Sequence, residues 1–292
     1  MGETQSKPAE DVKPESPFLD KAWREINWSG DKYTDLQFVN DYNPQTEGQQ
    51  LRILLHGLSG AGKSSFINSV HSVLKGRISA LALVDGIAHS SFTKQYTTYK
   101  IEKGNPNTFY PFVLNDMIGM KNANDRVHVK DIKRALRGHV KDGYTFNPVY
   151  KLSKEDPYYN ESPTINNKVH ILVCVIDAST DDLCGENVAA TLRDIRLEAS
   201  ELGIPQVAVF TKIDEAFPEI KQDIRNIYKS KKLKAKMQKF SVNVGIPMNC
   251  IFAVQNYHSE MHLHNDIDTL ILSTLRRIIA FGDDFLNKQN MC

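Results

Sequence analysis

From Leu51 onward, apolar positions follow two alternating styles. Short continuous runs at "LRILLH" (51–56), "VHILVCVID" (169–177), "QVAVFT" (206–211) and "CIFAV" (250–254) have the length and content of covered strands. Between them the spacing turns helical. "KSSFINSVHSVL" (63–74) places Phe66, Ile67, Val70, Val73 and Leu74 on one face. "GENVAATLRDIRLEASELG" (185–203) is helical and is stopped by Gly203 and Pro205. A helix with outward lysines is predicted over 218–240, and a last amphipathic one over 266–281. "YTTYKIE" (96–102) and "YPFVLND" (110–116) read as β-rich. The alternation predicts an α/β fold, a mostly parallel sheet with helices on both faces.

Ahead of this pattern, residues 1–17 hold three prolines and little to bury, so a disordered lead is expected. Residues 18–50 carry Phe18, Trp23, Ile26 and Trp28, enough apolar surface to dock on a domain spanning 51–282. Residues 283–292 read as a tail. One stretch, 120–167, breaks the alternation with a helical piece, "VKDIKRALRGHV", and a polar loop. It is an insertion with its own role or a mobile lid, and its helix could equally be packed permanently on the core.

Composition narrows the picture slightly. A chain of 292 residues can bury one sizeable core. With 36 basic and 35 acidic residues, its formal charge of +1 supplies no global field for nucleic acid or an anionic membrane. Four cysteines (Cys174, Cys184, Cys250, Cys292) without a CxxC pair fit a reducing, intracellular compartment. No apolar run nears the ~20 residues of a membrane span.

The chemistry begins at "GLSGAGKSS". Gly57, Gly62, Lys63 and Ser64 fit G-x-x-x-x-G-K-[ST], following a predicted strand and opening a predicted helix. Glycines let successive N–H groups of Ser59, Gly60, Ala61, Gly62 and Ser65 face one concavity, where phosphate oxygens bind. Lys63 would reach the β- and γ-phosphates, and the Ser64 hydroxyl would ligate Mg²⁺. Asp116 and Gly119 form D-x-x-G at a strand end, a carboxylate for Mg²⁺ and an N–H for the γ-phosphate. "TKID" then sets Thr211, Lys212 and Asp214 after another strand. An acceptor-only carboxylate matches the N1–H and N2–H₂ donors of guanine, a pair adenine lacks. Thr211 stands where asparagine usually braces the phosphate loop, and it reaches less far. Thr93, chosen over Thr97 and Thr98 because it precedes the strand, is the candidate switch threonine and a second Mg²⁺ ligand. Asn256 in "VQNY" is the candidate base-loop contact.

On "WREINW", "GLSGAGKSSFINSV", "SFTKQYTTYKI", "FVLNDMIGM", "HVKDGYTFNP", "TKIDE" and "VQNYHSE", spanning residues 23 to 260, the chain resembles the interferon-induced protein 44 family of predicted GTPases. The resemblance implies a P-loop GTPase-like domain using GTP/GDP and Mg²⁺, a cytoplasmic location, and a part in innate antiviral responses. Some members carry an N-terminal TLDc-type domain, and with so few residues ahead of the GTPase core none is expected in this sequence. Where many GTPases orient the attacking water with glutamine, this chain has Met120, so slow hydrolysis is expected. A scaffold that keeps the fold without hydrolysis stands as the alternative. A small-molecule kinase using ATP is disfavoured by Asp214 and by the lack of a catalytic base. Effectors or self-association would use 120–167.

Other signals weigh less. "MGETQS" fits the acylation pattern at Gly2, but one acyl chain gives only marginal membrane binding, and with Cys292 the last residue no C-a-a-X prenylation box is expected. The lysines of 229–239 read first as a solvated helix face, and contact with anionic lipid or RNA second. His258, His262 and His264 lack the partners of a zinc site.

Overall fold

The computed structural model describes residues 16–83, 95–120, 126–147, 149–180 and 186–291. The acidic lead 1–15, Gly2, Thr93, Cys184 and Cys292 lie outside them. Six strands form one sheet: β1 (Leu51–Gly57), β2 (Thr97–Glu102), β3 (Phe109–Asp116), β4 (Ile171–Asp177), β5 (Gln206–Thr211) and β6 (Ile251–Ala253). Their order is β2-β3-β1-β4-β5-β6, all parallel except β2, which runs antiparallel on the β3 edge. Chain order reverses direction at β1, and in open sheets that point is where ligands bind, beyond the carboxyl ends of the strands.

The central strands have no solvent side. Leu51, Ile53, Leu54 and Leu55 of β1 and Val173 and Val175 of β4 are completely buried, which requires cover on both faces. One layer comprises α1 (Asp31–Asp41), α2 (Lys63–Lys75) and α8 (Asn265–Asn290), packed on one another. The other comprises α3 (Arg126–Leu136), α4 (Glu186–Glu201) and α7 (Lys231–Val244). Two short helices, α5 (Ile213–Ala216) and α6 (Pro218–Gln222), follow β5.

Two helical expectations need correction. The helix read over 218–240 is broken into α6, a 3-10 turn at 224–226, and α7. The break has a local cause. Asp223 caps the turn by accepting from the Arg225 N–H at 2.9 Å, and Ser230 caps α7 by accepting from the Leu233 N–H at 3.2 Å. Residues 17–23 occupy the gap: Lys231 N–H donates to Pro17 O, and the Leu19 and Trp23 N–H groups donate to Lys229 O and Tyr228 O. The tail read at 283–292 is the end of α8 as far as Asn290. Gly282 does not stop that helix because it packs against β1; a Cβ there would lie 2.8 Å from Leu51 Cδ1. Phe285 and Leu286 then continue the apolar face.

The 120–167 segment is held from inside. Val129, Ile132, Ala135 and Leu136 of α3 are buried, and the fully buried Asp131 accepts from Tyr144 OH at 3.1 Å and from the Leu152 N–H at 2.9 Å. Of the two readings, lid or packed element, this geometry fits the packed one for the described residues. On α7, Leu233, Met237, Phe240 and Val244 face inward. Its lysines lie off that face, with Lys236 Nζ donating to Ala178 O at 2.5 Å.

Two buried histidines couple the fold to pH. His170 uses both ring nitrogens, Nδ1 accepting from the Arg52 N–H and Nε2–H donating to Ile165 O, each at 2.9 Å. Burial, reinforced by the Arg52 charge, pushes it down to about 4, and burial beside Lys63 pushes His56 down to about 3. Both are neutral when folded and titrate near 6.5 when unfolded. Their contribution is therefore complete above pH 6.5 and is lost as pH falls toward the folded values. Each adds a slope of up to about 1.4 kcal/mol per pH unit in that window. Urea midpoints should fall between pH 6.5 and pH 5, before carboxylates titrate; a flat midpoint there would count against both assignments.

Candidate functional site

The site is built at the carboxyl end of β1. Gly57 has φ +143°, and an added Cβ would sit 2.2 Å from Val175 O of the neighbouring strand, so no other residue fits. The loop then turns through Gly60 and Gly62 into α2, whose first helical bond runs from the Phe66 N–H to Gly62 O at 2.8 Å. The amino end of α2 faces the concavity, with a dipole favouring anions.

Lys63 is buried at the first helical position, with Nζ donating to Leu58 O at 3.1 Å. Burial lowers its pKa, while Asp116 and Cys174 oppose the shift. A cation held in this way is poised to exchange a carbonyl for an anion. Ser64 Oγ donates to Asp116 Oδ2 at 2.5 Å, joining positions 52 residues apart, and Asp116 Oδ1 accepts from the Met117 N–H at 2.9 Å. One hydroxyl and one carboxylate are hard oxygen donors, and they fit Mg²⁺, which takes few protein ligands beside water and phosphate oxygens. Among the described residues no cluster of three or more His, Cys, Asp or Glu could hold a metal alone.

The D-x-x-G segment lies directly on the loop. The Met120 N–H donates to Gly57 O at 3.1 Å, and the Ser59 N–H donates to Met120 O at 2.9 Å, continuing the β1–β3 pairing beyond the sheet. A Cβ on Gly119 would lie 2.5 Å from Ser59 Cα and 2.8 Å from Lys63 Nζ, so glycine there is a packing requirement.

The base-side residues arrive from β5 and β6. Thr211 Oγ reaches Ala61 O at 2.7 Å and Ile176 O at 3.1 Å, so threonine does brace the loop. Lys212 adopts φ +53°, and its Nζ pairs with Asp177 Oδ2 at 2.7 Å. Asp214 lies in the first turn of α5, half-buried, and its carboxylate has no side-chain partner among the described residues. Asn256 lies not alone in solvent but against the loop, its Nδ2 donating to Gly62 O at 3.3 Å.

Gly57, Ser59, Gly60, Ala61, Gly62, Lys63, Ser64, Ser65, Asp116, Gly119, Thr211 and Asn256 thus lie at one end of the sheet, with Lys212 and Asp214 beside them; Thr93 lies outside the described residues. Asp177 escaped the sequence reading. Its signal was a strand-end carboxylate in register with Thr211, legible only once β4 and β5 are paired. His264 is a helix cap, its Nδ1 accepting from the Asp266 N–H.

A phosphate loop between the central strand and its helix, an aspartate at the end of β3 and T-K-x-D after β5 define a P-loop NTPase fold of GTPase type. No protein-family profile matches the chain. It is 35% identical over 238 residues to interferon-induced protein 44 of Homo sapiens, covering 82% of this chain and 53% of that protein. It is 34% identical over 252 residues to the Mus musculus protein of that name, covering 86% and 59%. The Homo sapiens interferon-induced protein 44-like is 32% identical over 250 residues, covering 85% and 55%. Over these residues the chain is similar to interferon-induced protein 44 and to interferon-induced protein 44-like. It spans little more than half the length of those relatives, 53% to 59%. Among solved structures, Toc33 of Arabidopsis thaliana in complex with GDP and Mg²⁺ aligns at 13% identity and TM-score 0.47, covering 90% of this chain and 97% of that one.

Proposed function

We propose that the chain binds GTP and GDP with Mg²⁺ at this loop, hydrolyses GTP slowly, and acts in the interferon-induced antiviral response in the cytoplasm. The observation that carries the reading is the convergence of Ser64 with Asp116, and of Thr211 with Ala61, joining three separated motifs into one site. Lys63 would hold the β- and γ-phosphates, Ser64 and Asp116 the Mg²⁺, and Asp214 the guanine edge. When bound, the metal neutralises phosphate charge. Thr93 is proposed as the switch threonine from its sequence position alone.

Slow turnover follows from Met120. Its side chain is 1% exposed and apolar, so it cannot orient a water, and loss of such orientation or charge neutralisation costs about 10³–10⁵ in rate. Single-turnover hydrolysis by dilute protein should therefore be far slower than minutes, and first-order turnover within seconds would contradict the assignment. Effectors or a second copy of the chain are proposed to use 120–167, where Val149 and Tyr150 are 64% and 70% exposed. Among the described residues no helix is long and apolar enough to cross a membrane.

A second reading, a scaffold without hydrolysis, is favoured by one feature. Ser59 N–H and Lys63 Nζ, groups that would face phosphate, are engaged by Met120 O and Leu58 O. Failure to bind any nucleotide would select it.

A further inference from the structure

We infer that Thr211 and Asn256 divide between them the clamping of the phosphate loop, so that Asn256 is a positioning residue for that loop and not a contact for the base. The inference rests on the guanine-nucleotide reading above and assigns one residue of that site a different task.

Two consecutive carbonyls of the loop are held from two different strands. Thr211 Oγ, at the end of β5, donates to Ala61 O at 2.7 Å. Asn256 Nδ2, just past β6, donates to Gly62 O at 3.3 Å. Threonine carries one hydroxyl proton, already shared between Ala61 O and Ile176 O at 3.1 Å, so it has none left for Gly62 O. Both side chains converge on Gly62: a Cβ there would lie 3.1 Å from Asn256 Nδ2 and 3.3 Å from Thr211 Oγ. With φ +85°, Gly62 is also the residue whose geometry aims the amino end of α2.

Asn256 is itself fixed. The Tyr257 N–H donates to Ser69 Oγ at 2.9 Å, and Ser69 Oγ donates to Ser65 O, tying this loop to α2. Tyr257 OH donates to Asp268 Oδ1 at 2.6 Å, and the Val254 N–H donates to Phe210 O at 2.8 Å. The side chain therefore stands on a rigid base. Its Oδ1 is buried without a hydrogen-bond partner among the described residues. Such an acceptor is tolerated because the amide must turn its nitrogen toward Gly62 O.

The test compares the unmodified chain with Asn256→Ala and with Thr211→Asn/Asn256→Ala. In the double variant a longer amide at 211 can reach into the space Asn256 leaves. Two readouts are needed: amide hydrogen exchange over 58–66 without nucleotide, and affinities for GDP, IDP and 6-thio-GDP, the last two altering the base at its 2-amino group and at its 6-oxygen. Asn256→Ala should speed exchange of the loop amides about tenfold and weaken all three nucleotides equally, by about tenfold, as loss of one hydrogen bond implies. Thr211→Asn should recover both. Unchanged exchange in Asn256→Ala overturns the inference, and so does a loss that alters the ratio of GDP to either analogue, which marks a base contact. If the unmodified chain binds no guanine nucleotide, the functional reading fails, while exchange still reports whether the clamp exists.

Discussion

Asp214→Asn should lower affinity for guanine nucleotides by about 10²-fold or more and raise it for xanthine nucleotides. Asp214 presents two acceptor oxygens, half-buried and without a side-chain partner among the described residues, from the first turn of α5. Guanine offers N1–H and N2–H₂ to such a group, and hydrogen bonds to an ionised acceptor contribute about 1.5–3 kcal/mol each. Asparagine keeps one acceptor and replaces the other with a donor. It therefore leaves the 2-amino group unpaired and matches the 2-oxo group of xanthine. Competition titration of GDP against XDP reads the exchange directly. An unchanged preference would place the base elsewhere.

The largest effect on stability is expected at Gly57. Gly57→Ala should cost more than about 3 kcal/mol, since both its terms are large for an alanine. The residue has φ +143°, and the new Cβ would meet Val175 O at 2.2 Å, a contact with backbone in the middle of the sheet. Neither strand can move, because β1 and β4 pair along their length and Gly57 O also accepts from the Met120 N–H. Gly60→Ala is the matched control. There φ is +76° with nothing within 4 Å, so only the left-handed strain of about 1–2 kcal/mol applies. Urea unfolding of the two variants should separate them clearly, and equal midpoints would show that the β4 contact is not limiting.

Much of this was legible in the sequence for a physical reason. Covered parallel strands must be continuously apolar, which is why "VHILVCVID" and "QVAVFT" stood out, and a phosphate loop needs its glycines and lysine at fixed spacing. Asp116 and Asp214 were readable because each lies within a few residues of a strand end. The remainder depended on distant partners. The break at 223–230 is set by caps and by the docked residues 17–23, while helical periodicity continues across it. The last helix runs on past Gly282 because Leu51 lies against that glycine, a contact between positions far apart in the chain. Thr211 reaches less far than the usual asparagine, and it is the register of β5 with β4 that brings its hydroxyl to Ala61 O. Pairing of Met120 with Gly57 and Ser59 joins two motifs that sequence treats as separate.

The most direct measurement is equilibrium titration of the chain with GTP, GDP and ATP, with and without Mg²⁺, beside Lys63→Ala. The account predicts saturable binding of both guanine nucleotides, tighter GTP binding with Mg²⁺, negligible ATP binding, and loss of all of it in Lys63→Ala. Absence of nucleotide binding, or ATP binding as tight as GTP, would contradict it.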